Sequence, residues 1–371
     1  MTAFFISVFA IYFLFLLLLI IGWNKSSAKQ ATESPARFLS VIIPFRNEEE
    51  NLSALIETLR KLDFPKEKFE VILIDDHSTD DSLKVVVQAI SNYSNFKVIS
   101  ALSNGKKNAI AFGVEVSKGE IIVTTDADCE LPIEWLKSIN NHFQNQSVQM
   151  LVGAVGIKTD SSFFSKLQAM EFCSLIGSAA STLTLGFTTM CNGANLSYRK
   201  EAFVQVNGFE GNTHIASGDD EFLMRRVAKK FGVGSLKFLN DSDSVVETSP
   251  QASLHQFFNQ RIRWAGKWRH NSNGMTKTLA VFVLLFQLSW LVAIGSLFFH
   301  PWTNTIPALI IVKMVLEGFF LFYVSRFMKQ KFSLTVFLFL QLTYPFYIIV
   351  VGILSNFIQV SWKDRSIRLT T

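Results

Sequence analysis

The sequence predicts an α/β domain built on a mostly parallel sheet, with membrane-crossing helices before and after it. Three observations carry this expectation. From Leu39 onward, short apolar strands alternate with amphipathic helices, the pattern of a sheet covered on both faces. Long apolar blocks stand at the N-terminus and again in the C-terminal third. Of 371 residues, 49% are hydrophobic and only 18% are charged, against about 25% charged in an average soluble domain. The excess apolar mass belongs in lipid or in an unusually large core. Such a composition excludes a disordered chain and a small disulfide scaffold.

The first apolar block, Phe4–Trp23, is free of charge and long enough to cross a ~30 Å hydrocarbon core as a helix. Ser26-x-Ala28 resembles a signal cleavage site, but a signal peptide needs a basic leading segment and an apolar run of roughly 7–15 residues. Residues 1–24 are therefore expected to remain as an anchor. Leu279–Phe299, Ile306–Val324 and Phe332–Ile358 are further apolar blocks and predict a membrane bundle over residues 279–358. Between them lies a soluble domain, residues 37–250, and an interfacial segment, residues 251–275.

Lys25, Lys29 and Arg37 follow the first block, so the positive-inside rule puts the soluble domain in the cytoplasm. Two later basic clusters, Arg326-Lys329-Lys331 and Lys363-Arg365-Arg368, cannot both lie inside if one span separates them. Either the last block is re-entrant around Pro345, or the tail is exported against the rule. Lys313 and Glu317 share a helix face inside a block, where charge is costly unless paired or turned inward. They are expected to pair with each other or to serve the passage of an acceptor.

The net charge of +5 sets 35 Lys and Arg against 30 Asp and Glu. Basic flanks of membrane segments account for it, and no nucleic-acid partner is expected. The cysteines, Cys129, Cys173 and Cys191, are too widely spaced for a zinc ribbon or a CxxC pair, and read as reduced thiols.

Within the soluble domain, Leu39–Phe45, Phe69–Ile74, Phe96–Ser100 and Glu120–Thr125 read as strands. Asn47-x-x-Glu50 and Ser78-x-x-Asp81 read as capping boxes opening helices to about Lys61 and Tyr93. Lys106–Val116 is a further helix, and Pro132 is placed to start another. Ligands of such sheets collect at the carboxyl ends of the strands. The polar residues fall there: Arg46-Asn47-Glu48, Asp75-Asp76, and Asp126-Ala127-Asp128. No Gly-rich dinucleotide or P-loop signature is present.

Asp126 and Asp128 are at i and i+2 on extended chain, so both point the same way and can approach one divalent ion. Acidic loop pairs are common, and this one is a weak signal alone. Asp75-Asp76-His77-Ser78 is open between helix capping and hydrogen bonding to a base or ribose. Asn104-Gly105-Lys106-Lys107 reads either as a solvated basic turn or as a lysine meeting phosphate. Ser217-Gly218-Asp219-Asp220-Glu221 opens a helix to about Lys230. Its crowded acids either match the helix dipole or supply a general base. Gln260-Arg261-Ile262-Arg263-Trp264 reads as an interfacial belt, or as an arginine for a leaving diphosphate with a tryptophan to stack on a sugar.

Taken together and in order, Ile43-Pro44-Phe45-Arg46-Asn47-Glu48, Asp75-Asp76-His77-Ser78, Gly105-Lys106, Asp126-x-Asp128, Gly218-Asp219-Asp220 and Gln260-x-x-Arg263-Trp264 resemble the membrane-bound family 2 glycosyltransferases over about Leu39–Trp268. The resemblance implies a GT-A fold, a Rossmann-like mixed sheet with helices on both faces, plus N-terminal and C-terminal transmembrane helices. It implies a nucleotide-sugar pocket of Pro44, Arg46, Asn47, Glu48, Asp75, Asp76, Lys106 and Asp126, closed by Gln260, Arg263 and Trp264. Asp126 and Asp128 would hold Mg²⁺ or Mn²⁺. Asp219 and Asp220 would be catalytic, Asp220 as the base, with Asn192-Gly193-Ala194-Asn195 on the acceptor side. His77 departs from the family's frequent glycine, which puts the local turn geometry in question.

The implied reaction is an inverting transfer from a nucleoside diphosphate sugar, expected to be UDP-linked, to a lipid, lipid-linked or polysaccharide hydroxyl. Alternatives are a processive synthase subunit working with a partner, and a non-catalytic nucleotide-sugar sensor. The sensor would lack a metal or base carboxylate, whereas Asp126, Asp128 and Asp220 are all present. A second copy or a helper subunit stays open. The setting implied is a bacterial inner membrane with the catalytic domain cytoplasmic.

Overall fold

A computed structural model describes residues 2–26, 34–212, 218–266, 274–299, 305–357, 360–362 and 365–367. Lys29, Ser217, Trp268, Lys363 and Arg368, singled out above, lie outside the described residues. The chain divides into two compact units. One comprises Met1–Lys25, Thr159–Leu185 and Pro250–Thr371, the other Ser26–Lys158 and Gly186–Ser249.

The second unit is the α/β domain. Its strands are β1 (Leu39–Phe45), β2 (Phe69–Asp75), β3 (Phe96–Ser100), β4 (Ile121–Thr124), β5 (Cys129–Glu130), β6 (Met150–Gly153), β7 (Val155–Ile157), β8 (Leu196–Arg199), β9 (Leu236–Leu239) and β10 (Val246–Thr248). Seven of them form one mixed sheet in the order β3-β2-β1-β4-β8-β6-β9. The first four run parallel, and β8 then pairs antiparallel with both β4 and β6. A smaller sheet has the order β5-β10-β7. β1 and β2 are buried along their whole length, as strands covered on both faces must be.

The strand order reverses at β1, since the chain runs outward through β2 and β3 and returns to the other side as β4. The crevice beyond the carboxyl ends of β1 and β4 is thus the topological switch point, where α/β sheets bind ligands.

Helices α2 (Leu52–Arg60), α3 (Ser82–Ile90), α4 (Lys106–Val116), α5 (Trp135–His142), α7 (Lys200–Gln205) and α8 (Asp219–Phe231) belong to this unit, and α6 is assigned below. Neither expected capping box forms. Asn47 adopts φ 51° and its carboxamide oxygen accepts from the Thr79 N–H at 2.9 Å, so α2 starts later, at Leu52. Ser78 accepts instead from the Asn47 N–H, and α3 starts at Ser82. In both places a side chain that could cap its own helix ties one βα loop to the other. Pro132 does not open α5 either. Its carbonyl accepts from the Trp135 N–H in a turn before the helix.

The first unit gathers α1 (Thr2–Ser26), α6 (Phe163–Thr184), α9 (Leu254–Gly266), α10 (Gly274–Phe299), α11 (Thr305–Phe327) and α12 (Leu334–Leu354), with a hairpin of β11 (Val360–Trp362) and β12 (Arg365–Ile367). Four helices among the described residues, α1, α10, α11 and α12, are long and apolar enough to cross a membrane. Residues 159–185, expected inside the soluble domain, group with these helices instead. Small residues permit it: a Cβ on Gly22 would meet the Ser181 carbonyl at 2.5 Å, and one on Gly177 would meet Val324 at 2.6 Å. Lys166 and Glu171 kept this stretch from looking membranous in the sequence.

One polar cluster sits inside this apolar unit around Lys313 and Glu317. Lys313 and Glu317 pair at 3.0 Å. Glu317 also accepts from the Tyr12 hydroxyl at 2.5 Å and from the Gln341 amide at 2.8 Å. Lys313 donates to Gln341 and lies 4.0 Å from the centroid of the Trp290 ring. Every charge is partnered, as an apolar interior requires. Nearby, Pro345 lies within α12, a continuous helix, and has no N–H to give the Gln341 carbonyl. The indole N–H of Trp290 donates to that carbonyl at 2.9 Å and satisfies it.

Candidate active site

The first two βα loops are interlocked. Arg46 donates from Nη1 to the carbonyls of Asp76, at 2.9 Å, and His77. The Glu48 N–H donates to Ser82 Oγ at 2.7 Å, and the Asp81 N–H to Glu49 Oε2 at 2.9 Å. Arg46, Asn47 and Glu48 therefore shape the mouth of β1 through contacts with the β2 loop. His77, where glycine was expected, takes φ 59°, a left-handed conformation that glycine adopts without steric cost. The turn survives the substitution.

Asp75 and Asp76 have different tasks. Asp75 Oδ1 accepts from the Ser78 N–H at 3.0 Å, closing its own turn. Asp76, 2% exposed, reaches across and accepts from the Gly105 N–H at 2.8 Å. This fixes the start of α4. The next residue, Lys106, ion-pairs with Asp126 Oδ1 at 2.6 Å. Lys107 is buried, and its ammonium donates to the Asn212 carbonyl at 2.8 Å. The N-terminus of α4 thus ties the end of β2, the end of β4 and the stretch ahead of α8 together. Lys107 was not singled out as a site residue from sequence, because a second lysine beside Lys106 reads as solvated.

Gly193 marks where the separate segments meet. Its N–H donates to Asp220 Oδ2 at 3.1 Å, and its carbonyl accepts from Thr124 Oγ1 at 2.8 Å. A Cβ added here would stand 3.5 Å from Asp219 Oδ2, 3.7 Å from Lys106 Nζ and 3.8 Å from Asp220 Cβ. Asp220 Oδ1 also accepts from the Glu221 N–H at 2.8 Å, so two backbone donors orient the carboxylate. Burial alone would push the Lys106 ammonium down. The carboxylate of Asp126, with those of Asp219 and Asp220, outweighs it and holds the pKa above the usual lysine value.

Asp128 stands at an open rim of the same crevice, where Oδ2 accepts from Thr248 Oγ1 at 3.1 Å. Loss of solvent around its carboxyl, and then the negative charges of Asp126 and Glu48, raise its pKa. Asp126 and Asp128 offer hard oxygen donors, and among the described residues no group of three or more His, Cys, Asp or Glu assembles into a protein cage. Two carboxylates at an open rim suit Mg²⁺ or Mn²⁺, which completes its shell with phosphate oxygens and water.

Asn195 is scaffold. It is buried, donates to the carbonyls of Ala154 at 2.8 Å and Ser244 at 3.0 Å, and accepts from Trp135 Nε1 at 3.0 Å.

Gln260, Arg263 and Trp264 lie on α9, in the other unit. There the sequence pattern hides its most deeply held member, Arg261. It pairs with Glu171 of α6 at 2.6 Å, both side chains 2% exposed. Its guanidinium also sits 4.4 Å from the Trp264 ring centroid and 4.6 Å from that of Phe257. The signal was available in the sequence as an arginine inside an amphipathic helix, but its partner lies ninety residues away.

Residues 40–206 match the family model of glycosyl transferase family 2. A beta-monoglucosyldiacylglycerol synthase of Nostoc sp. is 25% identical over 236 residues, 62% of this chain and 48% of that one. The chain thus spans about half the length of that relative. A poly-beta-1,6-N-acetyl-D-glucosamine synthase of Staphylococcus epidermidis is 22% identical over 368 residues, covering 93% of this chain and 80% of that one. In structure, the chain resembles a mannosyltransferase of Pyrobaculum calidifontis solved with GDP-Man and Mn²⁺. That likeness has a TM-score of 0.56 at 15% identity and covers 96% of this chain and 99% of the other. The mixed sheet and these matches agree: the chain has the GT-A fold, residues 40–206 match glycosyl transferase family 2, and the chain is similar to lipid glycosyltransferases and polysaccharide synthases.

Proposed function

We propose that this chain is an inverting membrane glycosyltransferase that moves a hexosyl group from a nucleoside diphosphate sugar, UDP-linked by resemblance, to a hydroxyl of a lipid, lipid-linked or glycan acceptor. The observation that carries the reading is the meeting of Lys106, Asp126, Asp219 and Asp220 around Gly193 at the sheet's switch point. In this reading Asp76 and the interlocked β1 and β2 loops receive the nucleoside. Lys106 takes charge from the diphosphate. Asp126 and Asp128 would hold Mg²⁺ or Mn²⁺, which when bound neutralises negative charge on the diphosphate.

Asp220 removes the proton from the acceptor hydroxyl. That oxygen bonds to the anomeric carbon as the bond to the diphosphate oxygen breaks, and the electron pair leaves with the nucleoside diphosphate. A single displacement inverts the anomeric centre. The backbone donors on Asp220 keep its carboxylate aimed at one place, so orientation is settled before substrate arrives. Asp219 adds negative charge beside Lys106. The charges after the first span support a cytoplasmic position for the domain, where such donors are made.

The match with the N-acetylglucosamine polymer synthase runs across the apolar helices as well, and favours a polymerising activity as second reading. Release of nucleoside diphosphate from a panel of sugar nucleotides, measured in detergent with and without Mn²⁺, names the donor. Asp220→Asn is expected to retain nucleotide binding and lose transfer by about 10²-fold or more. Undiminished transfer by this variant refutes the assignment of the base. A product that grows beyond one added sugar selects the polymerising reading.

A further inference from the structure

The two carboxylates read above as cation ligands are held by different means. Asp126 is fixed by its ion pair with Lys106 at 2.6 Å. Asp128 stands two residues on, exposed, in the turn between β4 and β5, which closes where the Cys129 N–H donates to the Asp126 carbonyl at 3.3 Å. An aspartate there rotates about two side-chain torsions, and only some of its rotamers present an oxygen to a cation shared with Asp126. Among the described residues two side chains donate to its carboxylate. Cys129 Sγ stands 3.8 Å from Oδ1 and is a weak donor, whereas Thr248 Oγ1 stands 3.1 Å from Oδ2.

Thr248 ends β10, the middle strand of the small sheet, and its backbone is held on both flanks. It lies opposite Cys129 of β5 in an antiparallel pair and opposite Ile157 of β7 in a parallel one. Its carbonyl accepts from the Lys158 N–H at 2.9 Å. Threonine is β-branched, so the backbone restricts its first torsion as well. The hydroxyl therefore reaches Asp128 from a stiff mount, 120 residues further along the chain. A second tie braces the same sheet, since Glu130 of β5 pairs with Lys158 just after β7. Strand pairing alone would be served by valine, which shares the shape and the strand preference. What threonine adds is the hydrogen that Asp128 accepts.

We propose that Thr248 is a positioning residue of the cation site. Its hydroxyl donates to Asp128 Oδ2 and keeps that carboxylate in one rotamer before a divalent cation arrives, so binding does not have to stop the side chain from turning. Donors of this kind behind a metal-binding carboxylate commonly set about 10–100-fold of metal affinity. The inference rests on the reading of Asp126 and Asp128 as ligands of Mg²⁺ or Mn²⁺, and assigns Thr248 no contact of its own with the reacting atoms.

Titration of Mn²⁺ into the full chain in detergent, with UDP present and free Mn²⁺ read by electron paramagnetic resonance, tests it. Thr248→Val keeps the branching and removes the donor, and its Mn²⁺ affinity is expected to fall by about 10-fold or more. Thr248→Ser restores the hydroxyl and is expected to bind within a few-fold of the wild type. Without metal, both variants are expected to unfold at the wild-type temperature, which separates positioning from support of the fold. Asp128→Asn is the reference for a lost ligand. If Thr248→Val binds Mn²⁺ as tightly as the wild type while Asp128→Asn does not, the cation reading stands and the proposal is overturned. Equal weakening in Thr248→Val and Thr248→Ser also counts against the hydroxyl. If Asp128→Asn binds like the wild type, or the wild type does not bind, the assignment of Asp128 as a ligand fails and the proposal fails with it.

Discussion

The bond between Trp290 and the Gln341 carbonyl makes a sharp prediction about how α12 is held. Proline at 345 removes the N–H that would occupy this carbonyl, so the indole is its recorded donor at 2.9 Å. Trp290 is 1% exposed, and water is not at hand to replace it. Trp290→Phe keeps an aromatic ring under Lys313 but leaves the carbonyl without that donor, at a cost of about 1–3 kcal/mol. In a Pro345→Ala background the helix supplies its own N–H to Gln341, and the same tryptophan substitution should cost about 1–2 kcal/mol less. Equilibrium unfolding of the wild type, both single variants and the double variant in mixed micelles measures the difference. Additivity within roughly 0.5 kcal/mol would mean that indole and proline act independently, and the account of the bond would be wrong.

Other outcomes are as definite. Glu171→Gln removes the countercharge of a buried Arg261 and should destabilise the protein by about 3–5 kcal/mol, whereas replacing both partners with methionine should restore most of it; equal losses in both would contradict a pairing role. Gly193→Ala places a methyl at ordinary contact distance from Asp219, Lys106 and Asp220, so folding should be retained. Transfer should nevertheless fall by about 10-fold or more as the crevice fills, and a fully active variant would move the chemistry elsewhere. His142 is buried with Nδ1 2.9 Å from the Ser138 carbonyl, and burial lowers its pKa against the opposing pull of that carbonyl and Asp241. Its folded form resists protonation while the unfolded chain accepts a proton near pH 6.5. Stability should therefore drop as pH falls through about 6.5, and His142→Asn should flatten that part of the thermal-unfolding profile; an unchanged slope would exclude His142 as its source.

Local pattern determined much of this protein. The strands from Leu39 to Thr124 announce themselves because each is a short apolar run ending in polar residues, and period and burial are local properties. The carboxylates at strand ends were legible for the same reason, and so were the four apolar blocks. Tertiary structure decided what side chains do with a choice of partners. Asn47 and Ser78 carry the spacing of helix caps, yet bond across to another loop, because a nearby donor on a different segment competes equally well with the local backbone. Lys107 and Arg261 sit beside residues that motifs point to, but their partners, Asn212 and Glu171, are roughly a hundred residues away in sequence, where no periodicity reaches. Helix α12 shows the same limit. Its composition makes it long and apolar enough to cross a membrane, and only the bonds at Gln341 and Tyr347 show which helices it packs against.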